Sequence, residues 1–248
     1  MTALDTRAQI DSLLAWWRDA GVDTAVAETP FAWLAAANMP GSDAGGAPPM
    51  AKRVETFVLP TVSELPPTHS AFLEWLRTDE TRLAAFPAAR RVVGEGSVGA
   101  ALMVITDVPE AADVDSGRLL SGEVGDLLEK MLAAIGHDRR SVYLAALAPS
   151  RPPTGRLDDA AEALLAPILL HHIAMVAPTK LWLLGRAASR AVLGMDEVTA
   201  QGRLHCVNQG GITIDAIATA HPRVLLREPR LKGRVWKDMQ RLSEGPTA

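Results

Sequence analysis

Four short apolar runs, ALMVIT (101–106), SVYLAAL (141–147), KLWLLG (180–185) and ITIDAIAT (212–219), alternate along this chain with longer amphipathic segments. No other feature constrains the fold as much. Strands buried on both faces lose their polar alternation, as these four do, and strand–helix alternation then implies a parallel sheet covered by helices. The helix-like segments are 119–136, 157–176, 186–194 and 229–243. RLHCVNQGGI (203–212) reads as a small hairpin with Gly210 and Gly211 at its turn. The expected fold is a three-layer α/β/α sandwich around a central four-stranded parallel sheet. Ligands of such sheets bind beyond the carboxyl ends of the strands, which singles out loops 106–118, 147–156, 185–187 and 219–228.

The N-terminal quarter is organised differently. Residues 5–20 read as a helix with Ile10, Leu13, Leu14 and Trp17 at helical spacing, closed by Gly21. NMPGSDAGGAPPM (38–50) is too poor in apolar side chains to order itself and reads as a linker. Residues 1–60 are therefore expected to be a helical extension and linker, and 61–248 the α/β domain. A further amphipathic segment spans 69–86, with Phe72, Trp75 and Leu76 on one face. No run approaches the ~18 uninterrupted apolar residues of a membrane helix. Asp5 stands where a signal peptide would be basic. The expectation is a cytoplasmic protein without a membrane partner. The single cysteine, Cys206, excludes an internal disulfide and reads as a small hydrophobe.

A net charge of −4 does not advertise a nucleic-acid partner, so any such contact must be local. Between Ala218 and Arg241 there are seven basic residues (Arg223, Arg227, Arg230, Lys232, Arg234, Lys237, Arg241) against two acids, Glu228 and Asp238. That segment is either a contact surface for nucleic acid or a solvated basic helix. Gly94-Glu95-Gly96-Ser97-Val98-Gly99 matches a dinucleotide fingerprint in letters only, because the glycines precede a strand rather than joining a strand to a helix. His171 and His172 are adjacent, face different sides of a helix and make a poor metal pair. Asp158, Asp159 and Glu162 suit a helix N-terminus. No metal site and no cofactor is expected.

An ordered series of motifs over about 70–243 resembles the iron–sulfur-type (family 4) uracil-DNA glycosylases. Gly94-Glu95-Gly96 before ALMVI is similar to that family's approach to its first strand. GRLLSGEVGDLLEKMLAAIGHDRRSVY (117–143) resembles its G-x-P-F-V-G-x-x-G-x-L-L segment. SRPPTGR (150–156) resembles its C-R-P-P-x-x-R loop, LWLLGRAASRAVLG (181–194) its third strand and Leu-Gly-x-x-A turn, and ATAHPRVLLREP (218–229) its T-x-H-P loop.

Base removal requires flipping a nucleotide, holding its base and stabilising charge on the departing ring. The resemblance assigns the leaving-group histidine to His221 and the water-positioning carboxylate to Asp107. Asp107 lies within Thr106-Asp107-Val108-Pro109-Glu110, where the family has Gly-Glu-x-Pro-Gly. Asp107 is one methylene shorter, and Thr106 and Glu110 add bulk where glycine lets a nucleotide approach. The base pocket would comprise Leu120, Ala146 and Pro109. Leu120 takes the place of a stacking aromatic, a loss of about 1–3 kcal/mol, and Ala146 that of the base-reading asparagine. Contacts to DNA are expected from Pro222, Arg223, Leu225, Arg227, Lys232 and Arg151, with Leu225 and Leu226 as minor-groove wedges. A cluster of the family's kind needs four thiolates, and Ser150 stands at one ligand position.

Three functions follow. The first is a DNA-binding, repair-related protein with impaired or lost uracil excision, acting on single- or double-stranded DNA. The second is an active glycosylase of altered base specificity that uses Asp107 and His221. The third is an interaction domain unrelated to DNA.

Overall fold

The computed structural model describes residues 56–58, 65–209 and 211–244. The expected helix at 5–20 and linker at 38–50 lie outside them. Among the described residues six strands form one sheet in the order β1-β5-β6-β4-β2-β3. They are β1 (Thr56–Val58), β2 (Leu102–Thr106), β3 (Val142–Ala146), β4 (Lys180–Leu184), β5 (His205–Gln209) and β6 (Ile212–Thr219). The expected parallel core is present, since β6, β4, β2 and β3 pair in parallel. The sheet is nevertheless wider than four strands. β5 turns back antiparallel on β6 as the hairpin, and β1 adds in parallel to β5. β1 is three residues long, too short for periodicity to reveal.

Alternate residues of each central strand enter different cores. Leu102, Val104, Val142, Leu144, Trp182 and Leu184 pack on one face, and Met103, Ile105, Tyr143, Ala145, Leu181 and Leu183 on the other. The second face is covered by α1 (His69–Thr78), α4 (Asp159–Val176) and α5 (Arg186–Leu193). The first is covered by α3 (Gly122–Ala134), α7 (Pro222–Arg227) and α8 (Lys232–Glu244). Two short helices, α2 (Ala111–Ser116) and α6 (Glu197–Ala200), complete the helical set among the described residues. By length and composition α4 is apolar enough to cross a membrane. Here it carries Pro167 and buries Leu165, Ile168, Leu169, Leu170, Ile173 and Val176 against the sheet, as a core-layer helix does.

Glu95 forms an isolated antiparallel bridge with Leu144, with N–H···O distances of 2.9 and 2.8 Å, and so precedes β2 without any helix after it. The glycine-rich letters are thus a packing element of β3. Segment 79–91 is held at its start by the Asp79 carboxylate, which accepts the Arg82 and Leu83 N–H groups at 2.8 and 3.1 Å, and at its end by Arg91. The Arg91 guanidinium donates to the carbonyls of Phe86 (2.8 Å), Leu83 (2.8 Å), Leu76 (3.2 Å) and Arg77 (3.2 Å), while Leu83 and Phe86 anchor the loop in the core.

Candidate functional site

Strand register brings the four loops to one edge. Thr106 pairs with Ala146 and with Leu184, and Leu184 pairs with Thr219, so the carboxyl ends of β2, β3, β4 and β6 are level. The residues that follow, Asp107, Leu147, Gly185 and Ala220, open one shared mouth, and His221 comes next. Cross-loop bonds fix it: Leu147 N–H to the Thr106 carbonyl at 2.8 Å, Ala148 N–H to that of Asp107 at 3.1 Å, and Gly185 N–H to that of Thr219 at 3.0 Å.

His221 is 1% exposed and caps α7, its Nδ1 accepting the Arg223 N–H at 3.1 Å. A neutral imidazole whose Nδ1 accepts must carry its proton on Nε2. That N–H donates to Thr106 Oγ1 at 2.8 Å. Burial, with the Arg223 and Arg151 charges adding to it, holds the ring well below the usual histidine pKa and therefore neutral. A neutral imidazole with a fixed Nε2–H suits an anionic leaving group. Here the donor is already engaged by the chain's own hydroxyl.

Asp107 accepts the Ala188 N–H on Oδ1 at 2.7 Å, so its carboxylate caps the first turn of α5. It lies directly over Gly185, where a Cβ would come within 2.6 Å of Oδ2. Burial pushes the carboxyl up to about 6, opposed by the Ala188 bond and the Arg223 charge. A carboxylate titrating near neutrality is competent as a base. The same group has a structural duty as a helix cap.

Glu110, the second residue that stands in place of glycine, reaches across the mouth. Its Oε1 lies 2.6 Å from Arg223 Nη1 and 3.8 Å from His221 Nε2, and its Oε2 lies 3.7 Å from Arg151 Nη1. Arg151 Nη1 also donates to the Pro109 carbonyl at 3.1 Å. Thr106 and Glu110 therefore do more than add bulk: one bonds the histidine and the other neutralises the arginines beside it.

Of the expected base-pocket residues, Leu120 and Pro109 are buried and Ala146 is half-buried. Leu120 is fully buried in the cluster that contains Leu119, Ala220 and Leu225, with Ala146 packed against it. Its φ of 52° is unusual for leucine. Asp113 maintains that conformation. This fully buried acid accepts from Leu120 N–H (2.8 Å), Ser121 N–H (2.7 Å), Ser121 Oγ (2.6 Å) and Glu110 N–H (2.8 Å). Arg139 adds bonds to the Leu119 and Leu120 carbonyls and an ion pair with Glu95 at 2.9 Å. Sequence reading missed Asp113, and its only signal was an acid two residues into a segment with no helical periodicity.

Two of the expected DNA contacts, Leu225 and Pro222, are buried in this structure. Leu225 is 2% exposed and belongs to the core, because α7 turns it inward, so it is no wedge in this conformation. Leu226 is 40% exposed and presents the apolar tip. Arg227 and Lys232 are exposed, and Arg223 and Arg151 are half-buried. Lys232 borders an apolar groove of about 190 Å³ formed with Leu127, Met131, Val235 and Trp236.

The residues do not fit an iron–sulfur cluster. The chain has one cysteine, Cys206, which lies in β5 beside Asp215 at 3.7 Å. Ser150 is fully buried with an unpartnered hydroxyl, a poor iron ligand beside a thiolate. Arg91 ties the neighbouring segment instead. The adjacent histidines take different hydrogen-bond partners, His171 Nε2 the Pro66 carbonyl at 2.9 Å and His172 Nε2 the Tyr143 hydroxyl at 2.8 Å, while both rings pack on Phe72. Burial lowers His172 to about 3.

Comparison with known proteins matches residues 93–240 to the family model described as the uracil DNA glycosylase superfamily. A type-4 uracil-DNA glycosylase of Pyrobaculum aerophilum is 27% identical over 155 residues, covering 60% of this chain and 79% of that protein. One from Archaeoglobus fulgidus is 26% identical over 161 residues, 62% and 80% respectively. One from Thermotoga maritima is 31% identical over 139 residues, 55% and 71% respectively.

Proposed function

The chain belongs to the uracil-DNA glycosylase superfamily, and from that premise we propose that it is a DNA-binding, repair-related protein in which uracil excision is strongly impaired or lost. The observation that carries this reading is the 2.8 Å bond between His221 and Thr106. A departing uracil anion needs the Nε2–H donor, and to receive it must displace a hydroxyl that is covalently part of the site. Removing one such donor costs about 10²–10³ in rate. Leu120 removes the stacking face, a further 1–3 kcal/mol on the scale of about tenfold or more. Ala146 offers no polar group to read the base edge.

Binding would draw on Arg223 and Arg151 at the mouth and on the exposed Arg227 and Lys232, which an overall charge of −4 does not conceal at close range. Expected results are an affinity for oligonucleotides that falls steeply with salt and a loss of about tenfold or more on combining Arg223→Glu with Lys232→Glu. A flat salt response would favour an interaction domain unrelated to DNA.

Base release should be measured under single turnover with protein in excess over a uracil-containing oligonucleotide. We expect a rate at least about 10³ below that of a type-4 relative assayed alongside. A comparable rate would overturn the proposal. The second reading, a glycosylase of altered specificity, draws support from Asp107, whose carboxyl titrates near 6 beside the retained histidine. It predicts release of some other deaminated base that collapses in His221→Ala.

A further inference from the structure

We propose that Arg151 and Arg223 form a phosphodiester-binding site and that the Glu110 carboxylate occupies it from within the chain, so that Glu110 and the DNA backbone compete for the same two guanidinium groups. The inference rests on the DNA-binding reading above and specifies which contact regulates it.

Three loops build this site. Glu110 follows β2, Arg151 follows β3 and Arg223 follows β6, and level strand ends bring them together. Arg223 Nη1 holds Oε1 at 2.6 Å, and Arg151 Nη1 stands 3.7 Å from Oε2. One carboxylate thus presents an oxygen to each of two guanidinium groups, the arrangement with which a phosphate's paired oxygens are recognised. Two guanidinium groups face the Glu110 carboxylate, and the Arg223 charge also acts on Asp107. Water reaches all three side chains, which are 13%, 30% and 21% exposed for Glu110, Arg151 and Arg223. The Glu110 side chain also caps α2 in a box with Asp113, so turning it outward gives up that cap while the Asp113 carboxylate keeps the Glu110 N–H.

Position ties the site to the nucleotide. Glu110 Oε1 is 3.8 Å from His221 Nε2, so a nucleotide with its base near His221 carries a phosphate within reach of both arginines. Glycine stands at the Glu110 position in the pattern this chain resembles, and glycine supplies no carboxylate. Glu110 is thus an internal competitor that this sequence has added.

The test measures binding of a single-stranded oligodeoxynucleotide by fluorescence anisotropy at about 50 mM salt, where phosphate contacts are strongest. Glu110→Gln keeps a side-chain oxygen for capping α2 and should bind about 5- to 20-fold tighter, with a steeper salt dependence. Glu110→Asp retains the charge and the cap but withdraws the carboxylate, and should also gain affinity, which separates competition from net charge. Glu123→Gln, an exposed acid in the first turn of α3, should change affinity by less than about twofold. The gain should vanish when Arg223→Gln or Arg151→Gln is added. Wild-type binding combined with a Glu110→Gln gain no greater than that of Glu123→Gln overturns this inference alone. Absence of binding by wild type and all variants overturns the DNA reading as well. In a parallel arm inorganic phosphate is added at constant ionic strength. Persistence of the gain supports a diester site, and its loss at low millimolar phosphate overturns it in favour of free phosphate.

Discussion

Asp107→Asn will raise the stability of the folded domain at pH 7, although it removes the carboxylate of a helix cap. Asparagine keeps the oxygen that accepts the Ala188 N–H. What it removes is a charge that burial disfavours. The folded carboxyl titrates at about 6 against 3.8 for an ordinary aspartate. Between those values the folded state holds a proton that the unfolded chain has released, so stability falls as pH rises through this window. The loss is complete above about pH 6 and absent below about pH 4. A shift of roughly 2 units corresponds to about 3 kcal/mol, and residual solvent contact reduces the expected gain to about 1–2 kcal/mol, or roughly 2–8 °C in Tm. Thermal melts of both proteins from pH 4 to 8 should converge at the acid end and diverge towards neutrality. A less stable variant at pH 7 would mean that the Arg223 charge outweighs burial. A carboxylate that weakens its own fold supports a role for Asp107 in binding or chemistry.

Gly125→Ala should have the largest effect of the opposite sign. A Cβ at this position of α3 would lie 2.2 Å from the Leu120 carbonyl oxygen and 3.0 Å from its carbon. Both are backbone atoms, and they cannot easily give way. Leu120 is pinned at φ 52° by Asp113 on one side, and its carbonyl receives Arg139 on the other. Either α3 moves outward or the 117–121 loop abandons those bonds. The cost of such overpacking is about 3 kcal/mol or more, roughly 6–12 °C in Tm. Gly233→Ala in α8, with nothing within 4 Å of the added carbon, should be neutral or slightly stabilising. Equal melting of the two variants would refute the close-packing account.

The layers and the mouth of the sheet were legible because they follow from burial. Trp182 and Leu184 on one face and Leu181 and Leu183 on the other make β4 apolar throughout, and that is the pattern a doubly covered strand writes into sequence. Placing Asp107 and His221 at one edge then follows from strand direction. The bond between Thr106 and His221 did not follow, because it links side chains 115 positions apart, and periodicity reports which face is buried but not what meets there. For the same reason Glu110 was visible only as bulk, and its pairing with Arg223 and Arg151 needed coordinates. Leu225 was misplaced because α7 is six residues long, less than two turns, too short to tell an inward leucine from an outward one. The short β1, α2 and α6 escaped on the same ground.

The tie that Arg91 makes across segment 79–91 has no oxidation state. A guanidinium shared among four carbonyls is assembled as the polypeptide collapses, with no metal delivery and no electron donor. Peroxide and chelators, which dismantle thiolate-bound iron, have nothing to act on there. For this tie the domain depends on neither an iron supply nor the redox state of a thiol.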